Sequence, residues 1–437
     1  MPQWSLWRGT RSLRWLSLAV LGWIMVGVSS PALADSAEQL FARFEPALMQ
    51  VRVIEQASAA KSAIGTGFVL ETTEPQRRLL VTNYHVVSEA VLNPEKYHLE
   101  ALNQAQQKTP LTVLAVDVIN DLALLDSTDS SLMTGISFQL ASQKPAQGAT
   151  IYSLGNPHDL GMILVPGTYN GLQKYSYYPR IHFTGSINSG MSGGPTVNAD
   201  GQVVGVNVAS GGNQLSFLVP GDALQRLVRR YQQQGKADSF QRDMELQLQT
   251  SQRAMMDKIL AADWKLKEFG NGKVPDEVTS FIRCWGDSNM EKNQDKIKKV
   301  MAFCSQDDLI YLSEHFSTGP VQMQFIWLQG RDMTSMQFFR QYQDEISSVR
   351  PDNQATKDDV TPFECQQQVV MQQQKPAKIV YCVRAYKQFA DLYDVVYLSS
   401  SMDPGLEGLS SHYTLSGVNA EQAQQFRQKF SEAVSWQ

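Results

Sequence analysis

The residue with the clearest chemical context in this 437-residue chain is Ser192, in the run Gly190-Met191-Ser192-Gly193-Gly194-Pro195. Glycines on both sides leave the backbone free to make a tight turn that most residues could not adopt. A serine hydroxyl becomes a nucleophile only beside a general base, and backbone N–H groups can stabilise the oxyanion that its attack creates. The stretch 183–206 therefore predicts a nucleophile loop, and an ordinary glycine-rich hairpin loop is the alternative.

Two upstream sites supply what such a serine needs. His85 follows the apolar run 79–82, at a strand-to-loop junction where a side chain can be held rigidly and yet exposed. Asp121 comes directly before the apolar run 122–125, and an acid placed there can orient a histidine ring and stabilise its imidazolium form. Alone, His85 would be a structural histidine and Asp121 a solvated turn residue. In the order His, Asp, Ser, the three predict a catalytic triad for acyl transfer.

The elements that must position these residues are short β-strands. Between Phe41 and Phe217, apolar runs alternate with turn residues and show little helical periodicity. They form two groups of similar size: 51–54, 67–70, 79–82, 111–114 and 122–125, then 151–154, 162–165, 181–183, 203–206 and 217–219. This spacing predicts an all-β fold, and the two groups indicate two barrels.

The pattern changes after Pro220. A helix capped by Asp222 and ended by Gly235 is predicted to bury Leu224, Leu227, Val228 and Tyr231, and a second helical stretch spans 239–263. Beyond it we expect helices at 287–305, 335–349 and 420–436 and strands at 324–329 and 395–399. The expected organisation is an all-β double barrel over 35–235, a helical connector over 236–263 and an α+β C-terminal domain over 264–437.

Several motifs in the β region agree in identity, order and approximate spacing with one known family. They are Gly65-Thr66-Gly67-Phe68, Thr82-Asn83-Tyr84-His85-Val86, Asp121-Leu122-Ala123-Leu124-Leu125, Leu154-Gly155-Asn156-Pro157, Ser189-Gly190-Met191-Ser192-Gly193-Gly194-Pro195 and Phe217-Leu218-Val219-Pro220. Over residues 41–233 they resemble the trypsin-like (chymotrypsin-fold) serine proteases, most closely the bacterial HtrA/Deg branch. The resemblance implies that Ser192 attacks the scissile carbonyl, His85 acts as general base and then general acid, and Asp121 orients His85. It also implies an oxyanion hole formed by the backbone N–H groups of Gly190 and Ser192.

The chain departs from this family at two positions beside the nucleophile. Met191 stands where the trypsin branch has an acid and the HtrA branch usually an asparagine. Because methionine cannot pair with a freed N-terminal ammonium, trypsin-type activation by propeptide cleavage is not expected. Ser189 replaces the usual proline of the HtrA loop. A peptidase whose oxyanion loop is ordered only by a partner is therefore an alternative.

The same resemblance places the base of the specificity pocket six residues before the nucleophile, at Ser186. The expected pocket wall comprises Val206, Asn207, Val208 and Ala209. An uncharged Ser186 argues against Arg or Lys as the residue before the scissile bond, the P1 residue. We therefore expect a small or medium apolar P1 residue.

The N-terminus has the pattern of an export signal over residues 1–34. Arg8, Arg11 and Arg14 precede the apolar run 15–28, and Ala32-Leu33-Ala34 supplies small residues at a cleavage site. An uncleaved anchor is the alternative, but the run is shorter than the roughly 20 residues that a spanning helix needs. Cleavage would remove three arginines and lower the net charge from −5 to −8, which argues against a nucleic-acid partner. We expect a bacterial protein that is periplasmic or secreted, without stable membrane insertion.

All four cysteines, Cys284, Cys304, Cys365 and Cys382, lie in the C-terminal half. In an exported protein this even number predicts two disulfides, for which the sequence allows three connectivities. We favour the two local pairs, because antiparallel strands around a turn at 372–375 would set Cys365 opposite Cys382. Zinc binding is the alternative, although structural zinc ligands usually come in closely spaced pairs. The remaining histidines, His98, His158, His182, His315 and His412, have no companion ligands at metal-like spacing, so no metal or cofactor is expected.

Together these features predict an exported serine endopeptidase whose C-terminal domain binds a polypeptide substrate or a regulatory partner. HtrA relatives usually carry PDZ domains at that place. The nearest candidate loop here, 405–409, lies too close to the C-terminus to begin one, so none is predicted. The rival interpretation is a non-catalytic binding or chaperone-like protein on a protease scaffold. The intact set of His85, Asp121 and Ser192 favours the enzyme.

Overall fold

A computed structural model describes residues 36–436 apart from 73–77, 128, 130–134, 292–294, 348–353, 373–374 and 403–404. The expected signal at 1–34 and the centre of the turn at 372–375 therefore lie outside the described residues. Among the helices that are described, none is long and apolar enough to cross a membrane.

The first barrel follows helix α1 (Ala37–Phe44) and closes in the order β1-β2-β3-β6-β5-β4. Its described strands are β1 (Leu48–Glu55), β2 (Lys61–Glu71), β3 (Arg78–Thr82), β4 (Tyr97–Leu102), β5 (Lys108–Asp117) and β6 (Leu122–Ser127). Helix α2 (Tyr84–Leu92) joins β3 to β4. The sequence pattern missed β4 because tyrosine, histidine and glutamate interrupt its apolar residues and only its inward face is buried.

The second barrel closes in the order β10-β11-β12-β9-β8-β7. Its described strands are β7 (Thr150–Gly155), β8 (Ile163–Leu172), β9 (Ile181–Phe183), β10 (Pro195–Val197), β11 (Val203–Gly212) and β12 (Leu215–Pro220). The strand missed from the sequence is β10, which has three residues and begins with proline. Two closed antiparallel barrels confirm the chymotrypsin-like double barrel.

Two helices follow the barrels. In α3 (Gly221–Gln234) the predicted stripe of Leu224, Leu227, Val228 and Tyr231 is buried, but Asp222 is not the cap. Pro220 holds that position without a side-chain hydrogen bond, and Asp222 pairs instead with Lys144 at 3.0 Å.

The second of these helices, α4 (Phe240–Ala261), links two apolar cores. Its Met244 and Leu248 pack into the core of the first barrel. Its Met255, Met256 and Ile259 pack into the core of the C-terminal half. The methionines of this stretch therefore serve packing between the two halves.

The C-terminal half has α+β architecture, as expected. Its described strands are β13 (Lys265–Phe269), β14 (Gly272–Glu277), β15 (Arg283–Ser288), β16 (Ile297–Gln306), β17 (Ile310–Ser313), β18 (Phe316–Thr318), β19 (Val321–Gly330), β20 (Glu364–Gln372), β21 (Lys375–Ala385), β22 (Tyr393–Ser401), β23 (Glu407–Val418) and β24 (Ser435–Trp436). Seven of them form one antiparallel sheet in the order β15-β16-β19-β23-β22-β21-β20, while β17 and β18 form a separate hairpin. Its described helices are α5 (Ser335–Ser347) and α6 (Ala420–Ala433).

The helix expected at 287–305 is wrong, because this segment contains the end of β15 and most of β16. Lysine, glutamate, glutamine and methionine favour a helix locally. In the structure β16 is extended, and Ala302 and Cys304, two residues apart on one face of the strand, are buried. The closing helix is also shorter than expected, since it ends at Ala433 and Ser435–Trp436 pairs with β14.

The structure contains two disulfides, Cys284–Cys304 and Cys365–Cys382. In both, the cysteines are directly opposite each other on neighbouring antiparallel strands. Each bridge therefore links an edge strand of the seven-stranded sheet, β15 or β20, to its inner neighbour.

Candidate active site

The topology of the first barrel brings His85 and Asp121 to the same end of two adjacent strands. Thr82, at the end of β3, pairs with Ala123 near the start of β6. His85 lies in the first turn of α2, three residues after Thr82, and Asp121 directly precedes β6. Antiparallel pairing thus makes neighbours of two residues that are 36 positions apart in the chain.

Both carboxylate oxygens of Asp121 form hydrogen bonds with His85. His85 Nδ1 lies 2.6 Å from Asp121 Oδ2, and the backbone N–H of His85 donates to Asp121 Oδ1 at 2.8 Å. Asp121 has a left-handed backbone, with φ 61°, and its carbonyl accepts a hydrogen bond of 2.7 Å from Asn83 Nδ2. These contacts orient the imidazole and keep Nδ1 engaged, which leaves Nε2 available for proton transfer.

The environment of His85 makes it a stronger base than an ordinary histidine. Burial lowers its pKa, but the negative charge of Asp121 and their hydrogen bond raise it, and the net pKa lies above the usual value of 6.5. The side chain keeps 28% of its surface exposed, so a substrate can reach it.

The nucleophile loop of the second barrel lies against the strand end that leads to His85. A Cβ added at Gly193 would come within 2.2 Å of Thr82 Oγ1 and 2.9 Å of Asn83 N, so only glycine allows this approach. The carbonyl of Ser192 accepts a hydrogen bond of 2.8 Å from Thr66 N in the first barrel. Within the described part of the chain the Ser192 hydroxyl has no hydrogen-bond partner, which is common before substrate tightens such contacts.

The carbonyls of this loop are held in a way that fixes the direction of two N–H groups. Ser189 O accepts from His158 N at 2.8 Å, and Met191 O accepts from Gly194 N at 3.1 Å. Because the N–H and the preceding C=O of a trans peptide point in opposite directions, the N–H groups of Gly190 and Ser192 point away from these partners. Neither N–H donates to any acceptor among the described residues, which suits the two donors of an oxyanion hole.

Asn207 is the main internal support of the loop. Its side chain is fully buried, and Nδ2 donates to Leu154 O at 3.0 Å and to Met191 O at 3.1 Å. Its Oδ1 accepts from Ser153 Oγ and Thr196 Oγ1 at 2.9 and 2.7 Å. Sequence reasoning expected Asn207 only in the pocket wall. The alternation of β11 carried no signal for this role.

Met191 attaches the serine loop to the apolar core of the second barrel. Its side chain is fully buried in the core of the second barrel with Ile151, Phe183 and Leu218. The residue that departs from the family pattern therefore packs the loop onto the barrel from below.

A second support reaches the loop from the first barrel. Thr66 Oγ1 donates to Gly190 O at 2.7 Å, which joins the loop to β2. The turn carrying His158 is fixed by Asp159, which accepts from Lys61 Nζ at 2.7 Å and from Gln50 Nε2 at 2.6 Å. The hydrogen bonds from Lys61 and Gln50 hold the pKa of Asp159 below its usual value. No motif in the sequence pointed to these contacts.

The residues expected to form the specificity pocket differ in accessibility. Ser186 and Ala209 are exposed and Val208 is half-buried, whereas the side chains of Val206 and Asn207 are fully enclosed. Their assignment to the pocket stays a prediction.

The other histidines and the acids of the described residues contain no group of three or more ligands that could hold a metal ion. We assign no cofactor role to any of them.

Residues 65–206 match the model of the trypsin-like peptidase domain. The chain is 26% identical to human Serine protease HTRA3 over 226 residues, which cover 49% of this chain and 48% of that protein. It is 30% identical to a probable periplasmic serine endoprotease DegP-like of Chlamydia pneumoniae over 235 residues, covering 51% of this chain and 44% of that protein. The chain thus spans about half the length of these curated relatives.

Among solved structures, the serine endoprotease from Yersinia pestis is similar with a TM-score of 0.38 and 22% identity, over 45% of this chain and 66% of that one. The family model covers residues 65–206, which make up most of the region that forms the two barrels. Residues 65–206 are therefore a trypsin-like peptidase domain, and the chain is similar to serine proteases of the HtrA/Deg branch.

Proposed function

We propose that the protein is an exported serine endopeptidase that hydrolyses peptide bonds through an acyl-enzyme on Ser192. One observation carries this proposal. The His85–Asp121 pair of one barrel lies beside a glycine-rich serine loop of the other, and two N–H groups of that loop have no acceptor within the described residues.

In the proposed reaction, Ser192 Oγ attacks the scissile carbonyl and passes its proton to Nε2 of His85. Asp121 stabilises the imidazolium that forms. The negative charge of the tetrahedral intermediate falls on the carbonyl oxygen, where the N–H groups of Gly190 and Ser192 would receive it. His85 then gives its proton to the leaving amine, and a water molecule repeats the sequence on the acyl-enzyme.

The contacts around the oxyanion loop favour a protease that works without an activating partner. The carbonyls of Ser189, Gly190, Met191 and Ser192 all accept hydrogen bonds from this chain itself. Thr66, His158 and Asn207 supply those donors from both barrels. We therefore favour a protease that is active by itself. A protease that needs a partner for activity is the second interpretation, and a non-catalytic binding protein is the third.

For specificity we propose a small or medium apolar P1 residue. The support is the exposed, uncharged Ser186 six residues before the nucleophile, which offers no countercharge to a basic P1 side chain. A peptide library with one varied P1 position measures this directly, and preferential cleavage after Arg or Lys would contradict it.

For the C-terminal half we propose binding of an extended polypeptide, either substrate or regulator. The support is edge strand β20, whose residues are mostly exposed, beside a groove of about 620 Å³ between the sheet and α6. Gln366, Gln368, Tyr381 and Arg427 line the groove and offer amide, hydroxyl and cationic groups to a peptide.

Labelling by a fluorophosphonate tests the catalytic proposal, with wild type compared with Ser192→Ala. The matched control is Ser142→Ala, at an exposed serine of the second barrel remote from the loop. We expect labelling of wild type and Ser142→Ala and none of Ser192→Ala. Labelling that appears only after a peptide is added would support the partner-dependent form. Its absence under both conditions in folded protein would support the non-catalytic interpretation.

Export is part of the proposal and has its own test. The support is the N-terminal pattern together with the word periplasmic in the names of two relatives. Sequencing the N-terminus of protein recovered from the periplasm should begin at Asp35. Recovery of the full-length chain from the cytoplasm would contradict export.

A further inference from the structure

A hairpin of the C-terminal half packs against the helix that carries His85. Strands β17 and β18 contribute Ile310, Leu312 and Phe316 to the same apolar core as the first barrel. Tyr84 is fully buried and directly precedes His85, and its hydroxyl donates to Leu312 O at 2.8 Å. The backbone next to the general base is thus tied to a residue 228 positions away.

The hairpin is also fixed to the second barrel. Asp308, two residues before β17, accepts hydrogen bonds from Ser176 Oγ at 2.9 Å and from Tyr177 N at 2.7 Å. Both donors lie in the segment between β8 and β9. The start of the hairpin therefore has a defined position relative to both barrels.

Tyr311 is the residue of this hairpin that reaches His85. The ring centroids of Tyr311 and His85 are 5.9 Å apart with an interplanar angle of 69°, and Tyr311 has a similar edge contact with Tyr84 at 6.3 Å. Edge-to-face pairs at these distances are attractive beyond their apolar area. Burial raises the pKa of the Tyr311 hydroxyl, while a hydrogen bond with Ser88 opposes this, so the ring stays neutral at physiological pH.

We propose that Tyr311 is a positioning residue of the protease site, through which the C-terminal half holds the imidazole of His85 in its working orientation. This inference rests on the proposed function of His85. Asp121 contacts the ring only at Nδ1, so the imidazole can still rotate about that single hydrogen bond unless another group packs against it. The Tyr311 ring, in edge-to-face contact with the imidazole, limits this rotation. A catalytic group displaced by about 1 Å can lose a large part of its rate advantage.

Kinetics of three variants test the proposal on the full chain. Tyr311→Phe keeps the ring and loses the hydroxyl, and Tyr311→Ala loses both. His315→Ala changes an exposed residue in the turn of the same hairpin. We expect Tyr311→Ala to lower kcat about tenfold with little change in KM, because a misplaced base affects the chemical step. Tyr311→Phe should recover most of kcat and His315→Ala all of it. A purely structural role would give a lower melting temperature with unchanged kcat, and that result would overturn the proposal.

Nuclear magnetic resonance of the histidine rings separates this proposal from the proposed function, because it needs no turnover. The chain has six histidines, so ring labelling gives few signals, and Ser192→Ala provides an inert background. Among the described residues, Asp121, Tyr84, Tyr311 and Ser88 surround His85 and its helix turn. Arg180 interacts electrostatically with Asp121, and Glu89 and Glu314 with Tyr311. Removing the Tyr311 ring exposes His85, and since burial lowers its pKa, that pKa should rise further in Tyr311→Ala.

The two experiments fail in distinguishable ways. If wild type is not labelled by the fluorophosphonate but the His85 signal shifts in Tyr311→Ala, the proposed protease activity is contradicted. The contact between Tyr311 and His85 is then still supported. An active wild type whose His85 signal and kcat are both unchanged in folded Tyr311→Ala would overturn the positioning role alone.

Discussion

The two barrels position their parts of the site by different means. The first barrel presents side chains, and His85 and Asp121 meet through hydrogen bonds of 2.6 and 2.8 Å between strand ends. The second barrel presents a backbone loop, in which the carbonyls of Ser189 and Met191 are held so that the neighbouring N–H groups point away. The first arrangement sets the charge environment of the His85 imidazole, and the second sets the direction of two backbone N–H groups.

Because of this difference, substitutions in the two barrels should impair the site in different ways. In the first barrel, one altered carboxylate changes the chemistry of the base directly. In the second, the supporting residue Asn207 is fully buried, so its loss should act through small displacements of the loop's N–H groups. The following variants test that contrast, from the largest expected effect on activity to the smallest.

Asp121→Asn should break the first arrangement most completely. An amide in place of the carboxylate favours the wrong tautomer of His85, and kcat should fall about 10⁴-fold, as in triads of this kind. Asp200→Asn, in an exposed turn of the second barrel, is the control and should keep full activity. Retention of kcat within tenfold in folded Asp121→Asn would contradict the assignment.

The same pair sets the dependence of the rate on pH. His85 must be neutral to act as a base, so kcat/KM should rise with pH through a pKa above 6.5 and be lost below it. Asp121→Asn removes the charge that raises this pKa and leaves burial, which lowers it. The His85 ring signal of the variant should therefore titrate at lower pH than that of wild type.

Asn207→Ala should break the second arrangement while leaving the His85–Asp121 pair intact. It removes four buried hydrogen bonds, including the one to Met191 O, and frees the loop to turn its N–H groups. We expect kcat to fall about 10²-fold, comparable to the loss of one oxyanion donor, with an unchanged histidine titration. Asn213→Ala at the exposed tip of the β11–β12 hairpin is the matched control. If the His85 pKa moved in Asn207→Ala, the two arrangements would not be separable.

Asp159→Asn should have a smaller effect on activity, because it weakens an outer support of the loop in the second barrel. The variant weakens the ion pair with Lys61 that fixes the His158 turn, which in turn holds Ser189 O. Exposed pairs are worth about 0.2–1 kcal/mol, so the rate of Ser192 labelling should fall by a factor of about 1.4 to 5. Asp222→Asn removes a comparable pair with Lys144 at the other end of the barrel and should leave labelling unchanged. Equal rates in wild type and Asp159→Asn would exclude a role for this turn.

His412→Gln should leave activity unchanged and alter only the acid stability of the C-terminal half. Burial lowers the pKa of His412 to about 4, so its stability contribution is complete above pH 6.5 and is lost as pH falls towards 4. The depressed pKa corresponds to about 3 kcal/mol of pH-dependent unfolding free energy. Urea unfolding at pH 7 and pH 4 should show a smaller decrease for His412→Gln than for wild type. His98→Gln, at an exposed site, should behave like wild type.

Much of the architecture could be predicted from the sequence because it depends on the local pattern of apolar and turn residues. Apolar runs bounded by turn residues predicted ten of the twelve barrel strands, and the two missed, β4 and β10, are interrupted or very short. The helix expected at 287–305 was wrong because local propensity favoured it, while burial against a sheet and a cross-strand disulfide decided for β16. Cys365 and Cys382 were predictable as partners because a short hairpin sets their register.

The sequence by itself determined the residue types of the candidate site and the order in which they occur, with His85 and Asp121 at strand ends and Ser192 among glycines. Only the tertiary structure decided what surrounds them. Asn207 beneath the loop, Thr66 and His158 on its carbonyls and Tyr311 beside His85 have no common local motif. These contacts join residues that are far apart in the chain, such as Thr66 and Gly190, at a separation of 124. Such pairings follow from how closed barrels and a hairpin pack together, and no window of neighbouring residues encodes them.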